Sequence, residues 1–167
     1  MNNGHTVQVN LTSAGQVKVV SGEYKLLQFH FHTPSEEKVN GKPYPLVAHL
    51  VHRNDAGAVT VVAVLFKQGK KNPALEKVFA AMPEHADGKA DLAGGMNASE
   101  LLPVKRAYWA FEGSLTTPPC SEGVQWQVLK TPVEMSRAQI AAFRKLYPMN
   151  ARPVQPLNGR SLLESAN

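Results

Sequence analysis

His30 and His32 stand two residues apart in Gln28-Phe29-His30-Phe31-His32. The residues around them, Tyr24, Leu26, Leu27, Phe29 and Phe31, fit a pleated, half-buried surface. Successive side chains of a strand point to opposite faces, so the two imidazoles share one face and the two phenyl rings the other. Two rings fixed side by side on a rigid strand are placed to share one cation. A lone His-x-His is more often a pair of half-exposed histidines, so a metal reading needs a third ligand. His49 is the candidate. His52 has the opposite parity and reads as a structural histidine. Three neutral imidazoles with one open position form the pattern of a catalytic zinc site, whereas a structural zinc takes a fourth protein ligand, and the chain has a single cysteine.

The elements must bring these rings together. Between His32 and His49 the run Thr33-Pro34-Ser35-Glu36-Glu37-Lys38-Val39-Asn40-Gly41-Lys42-Pro43 reads as loop and turn. Leu46 to His52 is a second apolar strand, so an antiparallel return is expected. Upstream, Thr6 to Asn10 and Gln16 to Val20 alternate as short strands, and Thr12-Ser13-Ala14-Gly15 suggests a hairpin between them. Val59 to Lys67 reads as a central strand buried on both faces. Pro73 to Met82 is expected to be a helix begun by proline. Glu84 to Asn97 is turn-rich, and Tyr108 to Phe111 and Val124 to Lys130 are further strands. Ser136 to Tyr147 reads as a helix, with Ser136 as N-cap, Ile140, Phe143 and Leu146 on one face and Pro148 ending it. The tail from Asn150 is proline-rich loop. These elements predict a mainly β (α+β) fold: one domain over residues 1–167, built on a large, mostly antiparallel twisted sheet with a few peripheral helices.

The chain has 167 residues, enough for one domain with a sizeable core. Its hydrophobic fraction of 43% and charged fraction of 19% are ordinary for a soluble globular protein. The net charge of +5 is spread over scattered basic residues, with no basic stripe interleaved with aromatics, which argues against nucleic acid as a partner. No apolar run reaches the length of a transmembrane helix. The polar start Met1-Asn2-Asn3-Gly4-His5 does not read as a signal peptide.

A second constellation is Gly113-Ser114-Leu115-Thr116-Thr117-Pro118-Pro119. Two prolines fix the backbone just after two hydroxyls. A threonine hydroxyl can accept a hydrogen bond from a metal-bound water and donate its own to a carboxylate, for which Glu36 and Glu37 are candidates. Composition alone does not separate this from an ordinary polar turn.

The three motifs together, Gln28-Phe-His-Phe-His32, Ala48-His49-Leu-Val-His52 and Gly113-Ser-Leu-Thr-Thr-Pro-Pro119, in this order, resemble an α-class carbonic anhydrase of bacterial type. Asn2-Asn3-Gly4-His5 and Asn150-Ala151-Arg152-Pro153 resemble the motifs that flank them in that family. The resemblance implies reversible hydration of carbon dioxide to bicarbonate and a proton, by a zinc-bound hydroxide. It implies His30, His32 and His49 as zinc ligands, Thr116 as gatekeeper of the zinc-bound solvent and Glu36 as the carboxylate that accepts from Thr116, with Glu37 second to it. It implies His5 as proton shuttle through ordered water and Thr117 beside the bicarbonate site. Gln28 is implied as the partner of the first ligand and the backbone of Asn150 as that of the second. Val51, Val61, Leu115, Val124 and Trp126 match the apolar wall where carbon dioxide sits. The chemistry agrees: carbon dioxide is apolar and needs a dry wall beside the nucleophile, and a histidine of ordinary pKa suits proton transfer to solvent.

Three departures from the family pattern stand out. Val47 lies where many relatives carry a glutamate that orients the third ligand, so His49 needs another group to fix its ring, and weaker zinc retention is expected. The resemblance implies a start inside the family's domain, and with it an expected exposed sheet edge and a homodimer formed through it. Cys120 matches a cysteine that in bacterial relatives pairs with one in the segment before Asn2, which hints at the periplasm, while the polar start leaves the cytoplasm open. The alternatives to a zinc enzyme are a carbonic-anhydrase-like binding or scaffold protein without turnover, and an esterase using the same zinc hydroxide.

Overall fold

The computed structural model describes residues 1–11 and 15–165, so Thr12, Ser13 and Ala14 of the expected hairpin link lie outside the described residues. The strands in chain order are β1 (Gln8–Asn10), β2 (Gln16–Val19), β3 (Gly22–His32), β4 (Lys38–Val39), β5 (Lys42–Pro43), β6 (Leu46–Arg53), β7 (Val59–Gln68), β8 (Tyr108–Ser114), β9 (Glu122–Leu129), β10 (Val133–Met135) and β11 (Leu163–Glu164). The helices are α1 (Pro73–Ala80) and α2 (Arg137–Leu146), with a 3₁₀ turn at Ala98–Leu101.

One sheet runs β1-β3-β6-β7-β9-β8-β11, and β4 and β5 form a separate two-stranded sheet. The pairings β3/β6, β6/β7 and β8/β9 are antiparallel, as expected from the short connections. Two pairings are parallel: β9 and then β10 run along the same edge of β7. The expected β1–β2 hairpin is corrected. Both strands pair antiparallel with β3, Gln8 opposite His30 and Gln16 opposite Lys25, so the hairpin is β2–β3. Gly22, at φ +131°, opens β3 just after that turn. The tail, read as loop, adds the two-residue β11 to the edge of β8.

The helices form where their ends are capped. Asn72 Oδ1 accepts from Leu75 N at the start of α1, with Pro73 in the first turn. Ser136 and Gln139 form a reciprocal capping box at the start of α2, and the chain turns extended at Tyr147 before Pro148. Both helices cover one face of the sheet. Phe31 meets Phe79 of α1 and Phe143 of α2 edge-on, at centroid distances of 5.6 and 5.8 Å. Phe29, Phe31, Leu50, Val62, Val64 and Phe66 are buried on this face. The opposite face carries a second cluster, Val47, Val61, Ala63, Leu65, Val124, Trp126 and Val128. β7 contributes alternate residues to both, which is why its sequence is almost continuously apolar.

Candidate metal centre

The register of β3 against β6 places His30 opposite His49 and His32 opposite Val47. The three rings gather on the face away from the helices, with centroids 5.1 Å (His30–His32), 5.5 Å (His30–His49) and 4.8 Å (His32–His49) apart. One nitrogen from each ring lies within 4.8 Å of the other two.

Each ring has one nitrogen committed. His30 Nδ1 donates to Gln28 Oε1 at 2.9 Å. His32 Nδ1 donates to the Asn150 carbonyl at 2.9 Å. His49 Nε2 donates to Glu37 Oε1 at 2.8 Å. The acceptors are an amide oxygen, a carbonyl and a carboxylate, so each fixes a tautomer and leaves a lone pair on the other nitrogen. His32 Nε2 and His49 Nδ1 are buried without a hydrogen-bond partner among the described residues. An orphaned buried nitrogen is costly unless something coordinates it. Burial, with the neighbouring rings, holds His30 well below the usual imidazole range and His49 down to about 3, so both rings are neutral. The donor set therefore fits a divalent, imidazole-preferring ion held by three ring nitrogens, with a fourth position open.

The acidic pair beside them splits its duties. Glu36 Oε1 accepts from the Arg152 amide at 2.7 Å and lies 3.4 Å from His32 Nδ1, while its Oε2 lies 3.8 Å from His49 Nδ1. Burial pushes the Glu37 carboxyl up to about 7. Among the described residues no hydrogen bond joins Thr116 to Glu36 or Glu37, so the expected threonine–carboxylate pair is not drawn. The Arg152 amide holds Glu36 instead, because the tail is tied to the end of β3: Asn150 N donates to the Thr33 carbonyl, and Asn150 Oδ1 accepts from Thr33 N at 2.7 Å.

Thr116 is half-buried and lines a groove of about 450 Å³ with Glu36, Glu37, Trp126 and Arg152. Thr117 is exposed, and its carbonyl accepts from Cys120 N. Val61, Val124 and Trp126 are buried in the cluster beside the histidines, with Val51 and Leu115 packed against it. The Trp126 ring stands 4.8 Å from that of His49 and donates its N–H to the Ser114 carbonyl. Gly113 lies against this ring: a Cβ there would stand 3.0 Å from the indole, which would have to give by a few tenths of an ångström. His5 is exposed, and among the described residues no hydrogen bond joins its ring to the three histidines, but its carbonyl accepts from Asn150 Nδ2, which also donates to the Phe31 carbonyl.

Residues 1–166 match the family model for eukaryotic-type carbonic anhydrases. The chain belongs to the eukaryotic-type carbonic anhydrase family. It is 51% identical to a carbonic anhydrase of Klebsiella pneumoniae, over 98% of this chain and 68% of that one. The α-carbonic anhydrase of Thermovibrio ammonificans, solved with the inhibitor sulfanilamide, is 53% identical and superposes with a TM-score of 0.94 over 96% of this chain and 72% of that one. The α-carbonic anhydrase of Photobacterium profundum gives 48% identity and a TM-score of 0.94 over 98% of this chain and 75% of that one.

Several groups around this carbonic anhydrase site were not singled out from the sequence. Ser35 pins the loop after β3, its hydroxyl donating to the Glu37 carbonyl at 2.6 Å and accepting from Tyr44 N at 2.9 Å. The Asn150 side chain, and not only its backbone, ties His5, Phe31 and Thr33 together. Asn3 Oδ1 accepts from His5 N and Thr6 N and shapes the turn that carries His5. Asn-Gly near a histidine was the available signal for that turn. The Asn150 contacts join distant parts of the chain and left no local pattern, and the Ser35 ties depend on how the loop closes.

Proposed function

We propose that the chain catalyses reversible hydration of carbon dioxide to bicarbonate and a proton as a zinc enzyme, with His30, His32 and His49 holding the ion. The observation that carries this is the set of three ring nitrogens within 4.8 Å of one another, two of them buried without a partner. Zinc bound there would lower the pKa of a coordinated water to about 7 and so supply a nucleophile near neutral pH.

The chain's own groups supply the rest. Gln28 and the Asn150 carbonyl hold the tautomers of His30 and His32. Thr116 is assigned to orient the reacting water through its hydroxyl, and Glu36, whose Oε2 has no hydrogen-bond partner among the described residues, is assigned to accept the hydrogen bond that hydroxyl donates. Val51, Val61, Leu115, Val124 and Trp126 form the dry wall against which carbon dioxide sits, and Thr117 stands at the rim for bicarbonate. His5, exposed and tethered through Asn150, carries the proton to solvent. Support for a periplasmic location comes from the bacterial-type resemblance, and fractionation of expressing cells tests it. No helix among the described residues is long and apolar enough to cross a membrane. A homodimer through the β1/β2 edge remains part of this proposal, and light scattering showing a stable monomer removes it.

The deciding experiment is the rate of carbon dioxide hydration per mole of bound zinc at about pH 8, with His32→Ala as control. A fast rate that vanishes in the control is expected. Stoichiometric zinc without hydration would overturn the enzyme reading.

A further inference from the structure

Val47 and Glu37 divide a task around one ring. Val47 sits two residues before His49 on the same face of β6, fully buried among Val61, Ala63 and Leu65. It shares that face of β6 with His49, and an aliphatic group there can accept nothing. The acceptor comes from the loop instead, as Glu37 Oε1 at 2.8 Å. The loop is built to deliver it. Ser35 N donates to the Tyr44 carbonyl, and the Ser35 hydroxyl bridges Tyr44 N and the Glu37 carbonyl. This ties the chain leaving β3 to the chain entering β6, and holds residue 37 beneath His49.

The neighbouring carboxylate cannot serve in its place. Glu36 Oε1 is taken by the Arg152 amide, and its Oε2 faces His49 Nδ1, the nitrogen turned toward the other two rings. Two adjacent glutamates thus address opposite nitrogens of one imidazole.

We infer that Glu37 is the positioning residue of the third histidine, supplying from the β3–β6 loop the carboxylate that the strand lacks at Val47. This rests on the zinc reading above. By accepting from Nε2–H it fixes the tautomer that leaves the Nδ1 lone pair free, locks the ring against rotation, and makes the imidazole a stronger donor. On this inference His49 has an acceptor at Nε2 despite Val47, and the expected weakening of zinc retention would not follow from the valine alone.

The test uses the zinc-loaded full chain and reads zinc affinity and the rate of zinc loss to excess chelator, without reference to turnover. Glu37→Ala is expected to weaken zinc binding about 10–100-fold and speed its loss correspondingly. Glu37→Gln keeps an acceptor but removes the charge, and is expected to fall between Ala and the parent. Adding Val47→Glu to Glu37→Ala is expected to recover part of the loss, which a merely structural role for the loop would not do. In the parent, Val47→Glu crowds a second carboxylate onto one N–H and gains nothing. If Glu37→Ala releases zinc within twofold of the parent rate, the inference is overturned while the zinc reading stands. A parent that takes up no zinc overturns both.

Discussion

The two faces of the β3–β6–β7 sheet are made by alternate residues of the same strands, yet they are finished in opposite ways. On the helix side, Phe29, Phe31, Leu50, Val64 and Phe66 are packed against α1 and α2. On the other side, His30, His32 and His49 stand among valines with two ring nitrogens left without a partner. The difference teaches how the site is held. A one-residue slip of β3 would exchange imidazoles for phenyl rings, burying the histidines under the helices and exposing the core. The hydrophobic face therefore fixes the register of the polar one, and the ligand geometry is enforced by packing that takes no part in the chemistry.

The sharpest way to break this comparison is to substitute one residue on each face of β3. His32→Ala should abolish zinc retention and carbon dioxide hydration altogether. Its metal-free form should lose less stability than Phe31→Ala, because His32 Nε2 contributes nothing to folding without an ion. Phe31→Ala, at 0% exposure between two helices, should cost about 3–5 kcal/mol in urea unfolding. The fraction that remains folded should still hold zinc. A Phe31→Ala chain as stable as the parent, or a His32→Ala chain less stable than it, would show that the two faces do not divide the labour in this way.

The site face was legible in the sequence wherever alternation along a strand decided the outcome. The shared face of His30 and His32, the addition of His49 and the opposite direction of His52 all follow from a period of two. The apolar run Val59 to Lys67 likewise announced a strand buried on both faces. What depended on loop geometry was not legible. The sequence offers Glu37 as a second acceptor for Thr116, whereas in the folded loop, tied by Ser35 to Tyr44, its carboxylate meets His49. The hairpin at the start was misplaced because β1 and β2 both alternate, and alternation does not say which neighbour a strand will choose. The parallel pairing of β7 with β9 joins strands far apart in the chain, a choice set by the whole sheet rather than by either segment.

A smaller effect sharpens the comparison within the polar face. Gln28 lies on the ligand side of β3, next to a register irregularity between Leu26 and Gln28, and its side chain accepts from His30 Nδ1. Gln28→Ala should therefore weaken zinc binding about 10–100-fold while leaving metal-free stability near that of the parent. Competition with a chelator measures the first and thermal unfolding the second. An equal loss in both would make Gln28 part of the fold and not of the site.

The smallest predicted effect concerns the exception on the helix side. His52 is buried at 5% exposure, opposite Leu26 and Thr60, with Nδ1 lacking a partner. Burial lowers its pKa, partly offset by backbone hydrogen bonds. The sign follows from proton counting. Above the ordinary imidazole range His52 is neutral both folded and unfolded and contributes no pH dependence. Below it, the unfolded chain takes up a proton that the folded chain refuses, so stability falls with pH until the lowered folded value is reached. His52→Leu removes this term, while the depressed ligand histidines are common to both chains and cancel in the difference. Urea unfolding of parent and variant between about pH 7.5 and 5.5 should show the parent losing more stability on acidification. Parallel profiles would mean that the fold accepts a charge at His52, and that the helix-side face is less dry than its phenylalanines make it.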